Sequence, residues 1–329
     1  MKKIFNIISV LMIFLMAVYF AGCQKNKSED GFFYSIEDAF SDAKKNDKNV
    51  LLIITSDGDD ENSTDFIENV MKSDEFKQQI VNEFTVFHID FSEKTYLKTV
   101  VNDADDKKAQ KAAEDFALMM QENSRFASKL YVQNTPSIFI LTKEQYFIAE
   151  IDTTEKIEDF ASLKQLLDEQ SDKIKSVNEM VLETKKGSQS EKIAAIDRLY
   201  EDTDLMYRSL LSDLVFEVIE MDKKNESGLL SKYLLTSADI NSSEVFLMGN
   251  IDAAVKAYLD ICSNEYLLPE HRQQAYYIAA YIMLMSGSDD YDYCFDLLNK
   301  SIDAAPETDS AQTILKMRDY LVNSFMNEE

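Results

Sequence analysis

The apolar pattern of this chain changes period once, near Asp168. Ahead of that point, unbroken apolar runs such as Val50-Leu51-Leu52-Ile53-Ile54 and Ile138-Phe139-Ile140-Leu141 alternate with helically spaced positions such as Ile36, Ala39, Phe40 and Ala43. Short apolar runs with polar flanks suit strands covered on both faces, and i, i+3, i+4, i+7 spacing lines one side of a helix. Behind Asp168 no strand signal recurs, and the next proline is Pro269. Alternating strands and helices build a sheet with helices packed on it, while a long helical stretch must bury its stripes against other helices. The pattern therefore predicts an α/β domain over residues 33–170 and an all-α domain over residues 171–329.

Composition narrows the classes further. Seven glycines and three prolines are too few for the many tight turns of a barrel or sandwich. A hydrophobic content of 45% is enough to fill two cores. Lysine and arginine number 34 against 60 aspartates and glutamates, a net charge of −26. Nucleic acid is excluded as a partner, because phosphate binding needs a basic surface, and docking on anionic lipid by charge is disfavoured. Three cysteines and two histidines exclude a zinc ribbon, an iron–sulfur centre held by this chain's thiolates alone, and a disulfide-dense scaffold.

Residues 1–22 read as a secretory leader: Lys2 and Lys3, an apolar run through Val18, then the small pair Ala21-Gly22. Phe20-Ala21-Gly22-Cys23 resembles the bacterial lipobox, in which the cysteine becomes the lipid-bearing first residue of the mature protein. The resemblance implies lipidation at Cys23, a tether over residues 23–32, and export to the bacterial cell envelope, on the periplasmic face or the outer membrane. The apolar run is at the short end for spanning a hydrocarbon core of ~30 Å.

Between residues 33 and 170 the expected elements follow a definite order. A helix carries Ala39 and Phe40, and a strand covers 49–55. A helix with Phe66, Ile67, Val70 and Met71 follows, then a second one capped by Ser73. A strand at 84–91, a mostly helical insertion at 96–123, two strands around 137–141 and 145–151, and a helix with Phe160, Leu163, Leu166 and Leu167 complete the series. This order, with Tyr131-Val132-Gln133-Asn134-Thr135-Pro136 leading into an apolar strand, resembles the thioredoxin superfamily. The resemblance implies a central mixed sheet flanked by helices, a cis Thr-Pro bond, and a proline facing the redox motif. An ungapped alignment from Val50 to Phe76 lays Asp60-Glu61-Asn62-Ser63 over the Cys-x-x-Cys tetrapeptide. Thiol exchange needs a nucleophilic thiolate and a resolving sulfur, and carboxylate or hydroxyl cannot form the mixed disulfide. What the resemblance leaves is a peptide-binding groove at Thr135 and Pro136, rimmed by residues 57–63.

The same loop gathers carboxylates. Asp57, Asp59, Glu61, Asp65 and Glu68 echo the ligand spacing of a calcium loop, although Asn62 stands where the turn glycine belongs and Thr64 where an apolar residue does. A hard-cation site and a solvated acidic loop beside a helix N-terminus both remain open.

In the helical half, residues 186–190 and 225–228 read as interhelical turns, with one helix between them carrying Ile193, Ile196, Leu199 and Tyr200 and the next Leu210, Leu211, Leu214, Val215 and Val218. Gly249-Asn250-Ile251-Asp252-Ala253-Ala254 and the stretch from Tyr291 to Pro306 resemble tetratricopeptide-repeat helices, with Cys294 at the position usually held by alanine. Tyr276, Tyr277, Tyr281, Tyr291 and Tyr293 fit either inter-helix packing or a peptide groove. Cys262 and Cys294 fit either burial as small apolar residues or a bridge in an oxidising compartment. His88 and His271 are isolated and read as packing or surface residues. The leading expectation is a non-catalytic, membrane-anchored envelope lipoprotein that binds a protein or peptide, preferably basic, and needs no cofactor. The alternatives are an enzyme related to thiol-disulfide oxidoreductases, using Cys262 and Cys294 or a partner's thiols, and a calcium-binding structural protein.

Overall fold

A computed structural model describes residues 30–101 and 106–325. The leader and Cys23 lie outside the described residues. The chain divides into two compact units at Ser176/Val177. No helix among the described residues is long and apolar enough to cross a membrane.

In the first unit Ser35 caps α1 (Ile36–Asn46), its hydroxyl accepting from the Asp38 amide, and the helix buries Ala39, Phe40 and Ala43. Every residue of β1 (Val50–Thr55) is buried, as its unbroken apolar run requires. Next come α2 (Glu61–Phe66), continued by a π turn over Ile67–Met71, and α3 (Asp74–Glu83). Ser73 starts α3 by accepting from the Phe76 amide at 3.2 Å. β2 (Thr85–Asp90), the short α4 (Glu93–Tyr96), the long α5 (Lys107–Ser128), β3 (Ser137–Leu141), β4 (Phe147–Ile151) and α6 (Phe160–Asp168) complete the unit. The expected insertion is thus largely α5.

The sheet runs β2-β1-β3-β4, with β1 parallel to β2 and antiparallel to β3. Register places Ile53 beside His88 on one side and Ile138 on the other. Phe40, Phe66, Phe76, Phe87 and Phe139 are fully buried around it. Each such ring contributes about 1.5–3 kcal/mol on leaving water, so these side chains set the register as well as the stability.

The second unit is helical. α7 (Ser171–Thr184) straddles the boundary and leads to α8 (Gln189–Asp202), which starts on a capping box between Ser188 and Glu191. Leu210 and Leu211, expected in the next helix, belong to a 3₁₀ turn over Leu205–Leu211 that precedes α9 (Ser212–Met221). Asp204 fixes that turn by accepting from the Met206 amide, and Arg208 reaches back from it to the Thr203 carbonyl. Five helices follow: α10 (Leu230–Leu247), α11 (Ile251–Ile261), α12 (Pro269–Met285), α13 (Tyr291–Ala304) and α14 (Asp309–Phe325).

Short links join α10 to α11 and α12 to α13 into antiparallel hairpins. Gly249 and Gly287 supply the positive φ that each link needs. The two hairpins share a local device. Asn250 caps α11 by accepting from the Ala253 amide, Asp290 caps α13 by accepting from the Tyr293 amide, and both contacts are 3.1 Å. Four residues beyond each cap, Ala254 and Cys294 are fully buried.

Candidate functional site

The loop after β1 and the turn before β3 meet through side chains. The Thr135-Pro136 bond is cis. Thr135 Oγ1 donates to Asp60 Oδ2 at 3.2 Å, joining positions 75 residues apart. Asp60 is the N-cap of α2: Oδ2 also accepts from the Ser63 amide at 2.9 Å, and Oδ1 from the Asn62 amide at 3.3 Å. Burial pushes the Asp60 carboxyl up, but the bonds from Ser63, Thr135 and Asn62 together outweigh it and hold it below the ordinary value. The group is a fixed anion at neutral pH.

Ser63, the last of the four residues aligned to the motif, is fully buried, and its hydroxyl accepts from the Ser56 amide at 3.1 Å. Thr64 ties the loop again, accepting from the Gly58 amide and donating to the Asp60 carbonyl. Glu61 and Asn62 face solvent, Thr135 is half-buried and Pro136 is buried. The four motif positions therefore present one capping carboxylate, two exposed polar residues and one structural hydroxyl. None can exchange a disulfide.

The carboxylates proposed for calcium do not converge. Among the described residues no three histidine, cysteine or acidic side chains are gathered to hold a metal. Asp57 lies 3.7 Å from the Lys94 ammonium, and Asp65 and Glu68 pair with Lys156 and Lys72. Asp59 accepts from the Glu93 amide at the start of α4 at 2.6 Å, and Glu61 is exposed. The chain from Glu61 to Met71 is helical, so Glu61, Asp65 and Glu68 spread around a cylinder, while Asp57 and Asp59 precede it in the loop.

Sequence reasoning missed the support beneath the loop. Asp90, at the end of β2, accepts from the Asp57 amide at 3.0 Å and from the hydroxyls of Ser92 and Thr95 at 2.7 and 2.6 Å. Burial pushes the Asp90 carboxyl up, but bonds from Thr95, Asp57 and Ser92 hold it below its ordinary range. Beside it, His88 Nε2 and Thr55 Oγ1 lie 2.8 Å apart. Burial pulls the imidazole down to about 4 despite the nearby carboxylates of Asp90 and Asp57, so it stays neutral near pH 7. A local signal did exist, since Asp90 precedes Ser92 and Thr95 at a helix start. Its partner in the loop, 33 residues earlier, had none.

Cys262 and Cys294 are free and buried. Cys262 Sγ donates to the Tyr258 carbonyl at 3.3 Å, and burial pushes its thiol up to about 11. Burial raises Cys294 as well. Tyr276, Tyr277 and Tyr291 pack against the helical core, whereas Tyr281 and Tyr293 are exposed.

Known proteins match both units. Residues 36–168 match the family described as Thioredoxin-like domain. This segment is a thioredoxin-like domain. Residues 229–325 match a family described as an uncharacterised protein C-terminal domain. An uncharacterized protein of Treponema pallidum (strain Nichols) is 26% identical over 117 residues, covering 36% of this chain and 39% of that relative. The chain thus spans about two fifths of the length of the curated relative it matches. Among solved structures, a DsbH oxidoreductase chain is similar at 14% identity and a TM-score of 0.31, over 42% of this chain and 83% of its own.

Proposed function

We propose that the thioredoxin-like domain is a non-catalytic binding module. It takes an extended segment of a protein or peptide against Thr135 and Pro136, with residues 57–63 as the rim. The observation that carries this reading is the Asp60–Thr135 hydrogen bond. It fills the first redox-motif position with a carboxylate already committed to three donors, so the domain keeps its shape without a sulfur to react. An extended segment pairs through its backbone, an interaction that does not require thiols. The strong negative charge favours basic partners. Lipid on Cys23 would hold the module at the bacterial envelope, a reading supported by the lipobox-like residues 20–23.

Photo-crosslinkers at the exposed Glu61 or Asn134 test the site, with exposed Lys45 on α1 as control. A protein captured from 61 and 134 but not 45, which then binds the purified chain without insulin reduction, is the expected result. Equal capture from all three positions, or turnover of insulin by the chain, would overturn it. Incorporated palmitate that is lost with Cys23→Ala tests the anchor.

A further inference from the structure

We propose that the C-terminal domain carries a pocket for an arginine side chain presented by a partner protein. The pocket, about 540 Å³, lies between the start of α12 and the first half of α14. Gln273, 3% exposed, forms part of it. Its Nε2 donates to the Ala305 carbonyl at 2.9 Å, and its Oε1 accepts from the Thr308 hydroxyl at 2.8 Å. Its own carbonyl accepts from the Ser301 hydroxyl at 2.7 Å. A buried amide satisfied on both sides locks the turn between α13 and α14 to α12, so the concavity exists before anything enters it.

The lining matches one kind of side chain. Ile314 and Met317 offer apolar surface to an alkyl stem. Tyr277 also lines the pocket and stacks on the exposed Tyr281, with ring centroids 6.2 Å apart and planes 26° apart. Tyrosine faces accept guanidinium planes, and this domain already contains an example: Arg208 lies 4.7 Å from the centre of the Tyr200 ring. Glu270 and Asp309 add two exposed carboxylates to a lining that includes no lysine or arginine and one imidazole, that of His271, whose Nδ1 lies 2.8 Å from the Ser231 hydroxyl.

Other carboxylates of this domain do have cations. Asp197 and Glu201 share Lys232, and Asp260 and Asp296 pair with Lys256 and Lys300. Glu270 and Asp309 have no ion-pair partner among the described residues. Both sit in the first turn of a helix, where the dipole favours them. What makes them a receptor is the cavity between those helices, with a tyrosine and a methionine in its walls. The excess of acidic residues steers a basic segment toward it. All residues of this site belong to the helical unit, and the failure of either reading leaves the other intact.

The test follows the Met317 methyl resonance of the full chain, assigned with Met317→Leu. The probes are acetyl-Gly-Gly-Arg-Gly-Gly-amide, its citrulline counterpart and agmatine. The arginine peptide is expected to give a saturable shift and the citrulline peptide none. Glu270→Gln with Asp309→Asn is expected to weaken binding at least tenfold while leaving the unliganded resonance in place. No saturation at millimolar peptide, equal binding of the citrulline peptide, or undiminished binding by the double variant would overturn the proposal. Agmatine binding as tightly as the peptide would also overturn it, since the site would then serve a free small cation.

Discussion

The hydroxyl of Thr135 and the carboxylate of Asp60 lie 3.2 Å apart, and that carboxylate also caps α2. One anion thus does two jobs. It satisfies orphan amides at a helix start, and it anchors the turn that leads into β3. Three donors hold it: the Thr135 hydroxyl and the amides of Ser63 and Asn62.

Removing the anion is expected to expose this double role. Asp60→Ala loses a cap, worth about 1–2 kcal/mol. Thr135→Val loses one hydrogen bond, about 1 kcal/mol. Because both changes delete the same contact, the double variant should lose less than the sum by about 0.5–1 kcal/mol. Urea titrations read from amide protection in β1 measure all three. Strict additivity would show that the contact contributes nothing.

The pH dependence of the first domain follows from His88. Folded, its imidazole takes a proton near pH 4, while in the unfolded chain it does so near 6.5. Between these values the unfolded state binds more protons, so stability falls as pH drops from 6.5 toward 4 and is flat above 6.5. The full loss is about 3 kcal/mol. Asp60 and Asp90 act lower down: held below the ordinary carboxylate value, they lose their stabilisation as pH falls through their folded values. His88→Gln should flatten the limb between pH 6.5 and 4. A His88 imidazole resonance, assigned by its loss in His88→Gln, titrating near 6.5 in the folded chain would refute the assignment.

The two thiols of the helical domain are expected to be inert. With its thiol at about 11, Cys262 is about one-thousandth thiolate at pH 8. In a Cys23→Ser chain, iodoacetamide should label Cys262 and Cys294 at least a hundredfold more slowly in the native than in the unfolded state. Fast native labelling, or a bond between the two formed by mild oxidant without unfolding, would restore the thiol-based alternative.

Ala254 and Cys294 occupy matching places in successive hairpins, fully buried four residues past their caps. A longer side chain at either buried site has to displace its neighbours. Ala254→Leu and Cys294→Leu should each cost about 1–3 kcal/mol, while Cys294→Ala should cost less than about 1.5 kcal/mol. Thermal melting of the variants decides it. A neutral Ala254→Leu would mean that the hairpins pack more loosely than this register implies.

Much of this architecture was legible because its signals are local. Val50 to Ile54 and Ile138 to Leu141 read as strands because buried strands need unbroken apolar runs, and Ser73 announced α3 because a cap acts within three residues. Leu210 and Leu211 misled for the same reason. Their apolar spacing suits a helix, but Asp204 and Arg208 tighten the backbone around them into a 3₁₀ turn. The acidic spacing from Asp57 to Glu68 likewise carried no sign of the ion pairs that Asp65 and Glu68 make with Lys156 and Lys72.

The sequence alone determined the two-part plan, the absence of cysteine from the α/β half and the acidic charge, since each is a property of composition or short-range order. Tertiary structure decided what every polar group in the loop is for. Asp60 with Thr135, Asp57 with Asp90, and Gln273 with Thr308 are pairs separated by 75, 33 and 35 residues. A hydrogen bond acts over about 3 Å in space and carries no trace along the chain, so such partners exist only after the sheet and the helices have closed.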